Sequence, residues 1–100
     1  MKVQFVQSGG FVGTVKGCEL DTATLAPDVA QELERLIRES GISGSGESLS
    51  KVGRDLHQYD IRIEEGTQNF SVVFDDATIS QSMKPLLGFL KKHARIKALR

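Results

Sequence analysis

Cysteine occurs once in the 100 residues, at Cys18, so no internal disulfide can form. A secreted domain of this size is more often stapled. The opening MKVQFVQSGGFVG has no apolar run leading to a cleavage site, and a signal peptide is not expected. No stretch approaches the roughly 18 apolar residues of a membrane span. These absences point to a reducing cytoplasm and to no membrane partner. They also leave a core that must hold itself together. At 39% apolar and 26% charged the composition is ordinary for a soluble domain. The length suits one domain over residues 1–100, with enough chain for a single core.

Catalytic and cofactor signatures are missing too. His57, His93 and Cys18 lie in no short-spaced ligand cluster, so no metal and no cofactor is expected. Both histidines read as surface or helix-capping residues, and Cys18 as a small apolar strand residue. The serines at 43, 45, 48 and 50 sit in a Gly/Ser-rich stretch, a poor place to hold a nucleophile. The adjacent pairs Glu64–Glu65 and Asp75–Asp76 would point to opposite faces of a strand, so neither forms an acid/base couple. They read as solvated turn charges. Gly9-Gly10-Phe11-Val12-Gly13 lacks dinucleotide-binding spacing and leads into a strand, and Gly41 to Gly46 lacks the Lys-Ser/Thr of a P-loop. The chain is expected not to be an enzyme.

What is present is a regular alternation of elements. Lys2 to Gln7 has strand composition, Ser8-Gly9-Gly10 signals a turn, and a second strand is expected from about Val12 to Leu20. Gly17 within it suggests a bulge or a close backbone approach. Pro27 opens a helix with Asp28 at its positive end. Val29, Leu33, Leu36 and Ile37 form its apolar stripe, and Gly41 stops it. Residues 41–55 read as irregular. His57 to Glu64 alternates cleanly, with Tyr59, Ile61 and Ile63 on one face. Glu65-Gly66 turns into a fourth strand carrying Phe70, Val72 and Phe74. A last helix is expected from about Ser80 to Ala94, its first turn set apart by Pro85, with Leu86, Leu87 and Leu90 buried. Residues 96–100 read as frayed. The expected fold is α+β: a four-stranded antiparallel sheet with two helices packed on one face, in the order β-β-α-β-β-α.

Charge is uneven although the formal net charge is zero. Lys84, Lys91, Lys92, Arg95, Lys97 and Arg100 form a basic tail free of acids, behind an acidic body. A phosphate-contacting role for this tail is the alternative function, as a small nucleic-acid-binding domain. No aromatic residue is interleaved for base stacking, and the same charges compensate the helix dipole. The preferred expectation is therefore no nucleic acid.

The first hairpin tip, Ser8-Gly9-Gly10-Phe11-Val12-Gly13, sets a large apolar ring among three glycines. A turn needs one or two. Either Phe11 folds back on the core, or a thin backbone ridge presents Phe11 and Val12 to a narrow cleft.

MKVQFVQSGGFVG, KGCELDTATLAP, SGISGSGE, GRDLHQYDIRIE, SVVFDDATI and KPLLGFLKK together resemble the emfourin family nearly end to end. The Ser-Gly-Gly-Phe start, the acidic strand end before a Pro-led helix and the Pro-Leu-Leu helix carry the likeness. The resemblance implies a protein inhibitor of thermolysin-like, protealysin-type zinc metalloproteases; separately, the chain is expected to be a monomer when free. It names no contact residues. From the residues themselves, the expected inhibitory contact is Ser8, Gly9, Gly10, Phe11, Val12 and Gly13, with a second contact from Ser43, Gly44 and Ser45 or from His57.

Overall fold

In the computed structural model, residues 1–9, 15–42, 46–48 and 57–96 are described, the side chains of 46–48 and 95–96 excepted. Strand β1 (Lys2–Gly9) pairs antiparallel with β2 (Lys16–Asp21) on one side. On its other side lies β4 (His57–Glu65), which continues into β5 (Gln68–Asp75). These four strands form the expected antiparallel sheet. Two short strands extend it at the edges. β3 (Gly46–Ser48) runs parallel to β5, and β6 (Arg95–Ile96) pairs with Lys16–Gly17, giving the order β3-β5-β4-β1-β2-β6.

Neither edge strand was legible in advance. Three and two residues are too few to show a period, and what places them is the row of open backbone groups along an edge strand. Strand β2 also departs from expectation. It starts at Lys16; Val15 is not in a strand, and residues 12–14 lie outside the described part. Gly17 makes no bulge. Its register continues unbroken, opposite Val6 on one side and Arg95 on the other.

Helix α1 (Pro27–Ser40) and helix α2 (Lys84–His93) both lie on one sheet face. Pro27 occupies the first helical turn and Gly41 ends α1 with φ +80, a conformation that favours glycine. Pro85 similarly separates α2 from a 3-10 turn at Gln81–Met83. A hydrogen bond from Ser82 Oγ to the Ser40 carbonyl (3.0 Å) ties that turn to the end of α1.

The core follows from the alternation. Val3 and Phe5 from β1, Leu20 from β2, Tyr59, Ile61 and Ile63 from β4, and Phe74 from β5 all face the helices. Leu33, Leu36 and Ile37 of α1 and Leu86, Leu87 and Leu90 of α2 meet them. Burying each such side chain contributes about 1.5–3 kcal/mol, so these residues supply most of the folding drive. Cys18 packs against the core edge with Sγ 3.8 Å from the Leu90 carbonyl, as expected of a small apolar residue.

Candidate functional site

The antiparallel register decides which candidate residues meet. Ser8 lies opposite Gln58, and Gly9 lies opposite His57. The last residues of β1 and the first of β4 thus share one end of the sheet, though 48 positions separate Gly9 from His57 in sequence. Gly9 has φ +86 and is exposed; Ser8 is half-buried. Gly10, Phe11, Val12 and Gly13 lie outside the described residues, as do Ser43, Gly44 and Ser45. Past the latter, Gly46 sits opposite Val72 in the middle of β5, while Ser48 sits opposite Phe74.

His57 is built into this end by long-range bonds. Its backbone N–H donates to Asp76 Oδ2 at 3.0 Å, and the Asp76 N–H donates back to the His57 carbonyl at 3.3 Å. Its Nδ1 is 3.5 Å from the same Asp76 Oδ2, at ion-pair distance. Tyr59 O–H donates to Asp76 Oδ1 at 2.5 Å. The one carboxylate therefore clamps the start of β4 to the exit of β5 by both main chain and side chain.

Tyr59 is the pillar under the clamp. It has no exposed surface, and its ring stacks on Phe5 (6.2 Å between centroids, 13° between planes) and meets Phe74 at 5.4 Å. Lys91 of α2 places Nζ 5.1 Å from the ring centroid, within cation–π range. Burial, the Asp76 hydrogen bond and the Asp76 charge all push the Tyr59 hydroxyl well above its ordinary pKa, so it stays a donor. For Asp76, burial favours the neutral acid. The Tyr59 bond, the His57 N–H and the charges of His57 and Lys91 outweigh it and hold the carboxyl below its ordinary value.

Asp76, Tyr59 and Lys91 were not among the expected contact residues. Tyr59 reads as one more inward residue of a strand, and Asp76 as half of a solvated pair. The structure corrects that second reading. Asp75 is buried, and its Oδ1 accepts from the N–H groups of Ala77 (2.9 Å) and Thr78 (3.0 Å), so it shapes the turn. Glu64 and Glu65 are exposed, as expected.

The remaining candidates are spent on structure. His93 Nδ1 is 2.9 Å from the Phe89 carbonyl one helical turn back, and its ring lies 4.6 Å from that of Phe89. Lys91, Lys92 and His93 occupy the last turn of α2, where positive charge suits the helix dipole. Lys97 and Arg100 lie outside the described residues. Among the described residues no three His, Cys, Asp or Glu side chains gather as a metal site. Among the described residues no helix is long and apolar enough to cross a membrane.

A different concavity lies at the opposite end of the sheet. It measures about 280 Å³, floored by Ile37, Ile42, Ile63 and Phe70 and rimmed by Glu34 and Arg38.

A family model described as Emfourin matches residues 5–91, which takes in α1, most of α2 and most of the sheet. No curated protein and no solved structure matches the chain.

Proposed function

The chain belongs to the emfourin family, whose members inhibit metalloproteases, and we propose that it acts on thermolysin-like zinc enzymes of the protealysin type by filling their active-site cleft. The family match over residues 5–91 carries this reading. The Gly9–His57 end of the sheet supports it in physical terms. A cleft-blocking inhibitor needs an exposed projection on a base that does not yield, because every residue ordered on binding subtracts from affinity. Here β1 ends at Gly9 beside the Asp76 clamp, and the clamp stands on Phe5, Tyr59 and Phe74.

In this proposal the Ser8–Gly13 segment enters the cleft, with Phe11 in the enzyme's pocket for large apolar side chains. The glycines around it leave room between narrow walls. Substrate is excluded sterically. A second contact comes from Ser43–Ser45 or from His57, and His57 has the better claim, being the one the register sets beside Gly9. The inhibitor works as a monomer in the cytoplasm.

The experiment is a titration of the purified chain against a thermolysin-like protease with a peptide substrate. Stoichiometric loss of activity is expected; full activity at micromolar inhibitor contradicts the proposal. Phe11→Ala removes an apolar contact worth about 1.5–3 kcal/mol, or roughly 10- to 100-fold in the inhibition constant. Unchanged potency of a folded Phe11→Ala variant takes that ring out of the pocket.

A further inference from the structure

The concavity at the end of the sheet away from Gly9 and His57 has no part in the proposed inhibition. Its floor is apolar. Ile37 and Ile63 belong to the buried core, while Ile42 and Phe70 pack against that core and are only half-buried. At about 280 Å³ it falls just under the roughly 300–1,000 Å³ of sites for drug-sized ligands, which suits an occupant the size of one amino acid.

The rim is charged, and its charges are unspent. Helix α1 carries two opposite-charge pairs at i, i+4 spacing, Glu34 with Arg38 and Arg35 with Glu39. Such neighbours lie about 5–6 Å apart at Cβ, and the acid placed N-terminal to the base is the better order. Glu34–Arg38 has that better order, yet it is Arg35 and Glu39 that close, at 3.1 Å. Glu34 and Arg38 line the concavity instead. Among the described residues neither side chain has an ion-pair or hydrogen-bond partner. Glu65, the last residue of β4, also lines the concavity and is unpaired in the same sense.

We propose that this concavity binds a free α-amino acid with a large apolar side chain, of leucine or phenylalanine size. The ligand carboxylate meets the Arg38 guanidinium, whose fork matches it bidentately. The ammonium faces the Glu34 and Glu65 carboxylates. The apolar side chain covers Ile42 and Phe70. An α-amino acid carries both charges on one carbon, so it can bridge an acid and a base that stand one helical turn apart. A wholly apolar ligand would leave all three rim charges unused, and an apolar acid or amine would satisfy one sign only. Occupancy is read on the chain alone, so it stands or falls separately from the proposed inhibition.

The test is a titration of the ¹⁵N-labelled chain with L-leucine, followed by amide chemical shifts. Saturable shifts are expected at millimolar ligand around residues 34–42, 63–65 and 70, with residues 57–60 unmoved. N-acetyl-leucine lacks the ammonium and leucinamide lacks the carboxylate; each should bind at least about 10-fold more weakly. Alanine, which leaves the floor uncovered, should lose about 10-fold or more. Glu34→Gln and Arg38→Gln should each weaken leucine binding by about 10-fold, whereas Glu39→Gln, which opens the neighbouring pair, should bind as wild type. Absence of saturable shifts overturns the site. Equal binding of leucine and either blocked analogue overturns recognition of a zwitterion. Unchanged affinity in both folded rim variants, or an equal loss in Glu39→Gln, overturns the assignment of Glu34 and Arg38.

Discussion

At one end of the sheet, β4 returns into β5 through Gly66 and Thr67, a two-residue link with Gly66 at φ +60, between the paired residues Glu65 and Gln68. At the other end, the start of β4 is fastened to the exit of β5 by Asp76 and lies beside the end of β1. The first closure is local and needs only a residue that tolerates a left-handed backbone. The second joins residues 19 and 48 positions apart and uses a carboxylate, a phenol, an imidazole and a lysine. Local turns hold a hairpin together cheaply. A long-range polar clamp at an exposed end is a costlier device, and in the proposed function it braces the base from which the chain enters the protease cleft.

The comparison breaks most severely if its shared support is removed. Phe5 is buried and stacks on Tyr59, so Phe5→Ala should cost about 3–5 kcal/mol, read as a lower midpoint in urea unfolding. Both ends lose their footing together. A cost under about 1 kcal/mol would mean that the aromatic stack does not carry the clamp.

Gly66→Ala tests the local end alone. No atom obstructs a Cβ there, so the cost is one of backbone strain, about 1–2 kcal/mol. Inhibitory potency should not change; a parallel loss of potency would place this hairpin at the enzyme.

Tyr59→Phe tests the long-range end with the ring kept in place. A hydrogen bond to a charged acceptor is worth about 1.5–3 kcal/mol in stability. Asp76 is 38% exposed, and about 1 kcal/mol is expected here. Unlike Gly66→Ala, this change should also weaken inhibition, because the start of β4 is less firmly held.

The Asp76 contribution has a defined dependence on pH. Its folded-state pKa is lowered, so the stabilisation is complete above the ordinary value of 3.8 and is lost as pH falls through the lower folded value. Wild type should therefore be more stable than Asp76→Asn at pH 7, and the two should converge on acidification below pH 3.8. A gap that persists in acid would assign the effect to shape rather than charge.

The smallest effect lies away from both ends. Arg35 and Glu39 form an exposed pair one helical turn apart at 3.1 Å, and Glu39→Gln should change stability by under about 0.5 kcal/mol. Thermal melts should overlay, and potency should be untouched.

Which of these features the chain declared in advance follows from their range. Pro27, Gly41, Gly66 and the alternation of Tyr59, Ile61 and Ile63 act on their immediate neighbours, so four strands, two helices and their inward faces could be read directly. The edge strands at Gly46–Ser48 and Arg95–Ile96 could not, since backbone pairing asks nothing of side-chain pattern. The candidate site was half legible. Glycines flanking Phe11 are a local oddity, and His57 is conspicuous as one of two histidines. Asp76 was hidden because an Asp-Asp pair after a strand looks like solvent-facing charge. Its role exists only once β4 and β5 are paired.

The central claim is that the Gly9–His57 end faces the protease. Amide hydrogen exchange of the chain, free and saturated with a thermolysin-like protease, tests it most directly. Slower exchange in the complex is expected in peptides covering residues 7–15 and 57–60, with residues 64–70 exchanging as in the free chain. Protection confined to residues 64–70 would put the enzyme at the opposite end and contradict the account.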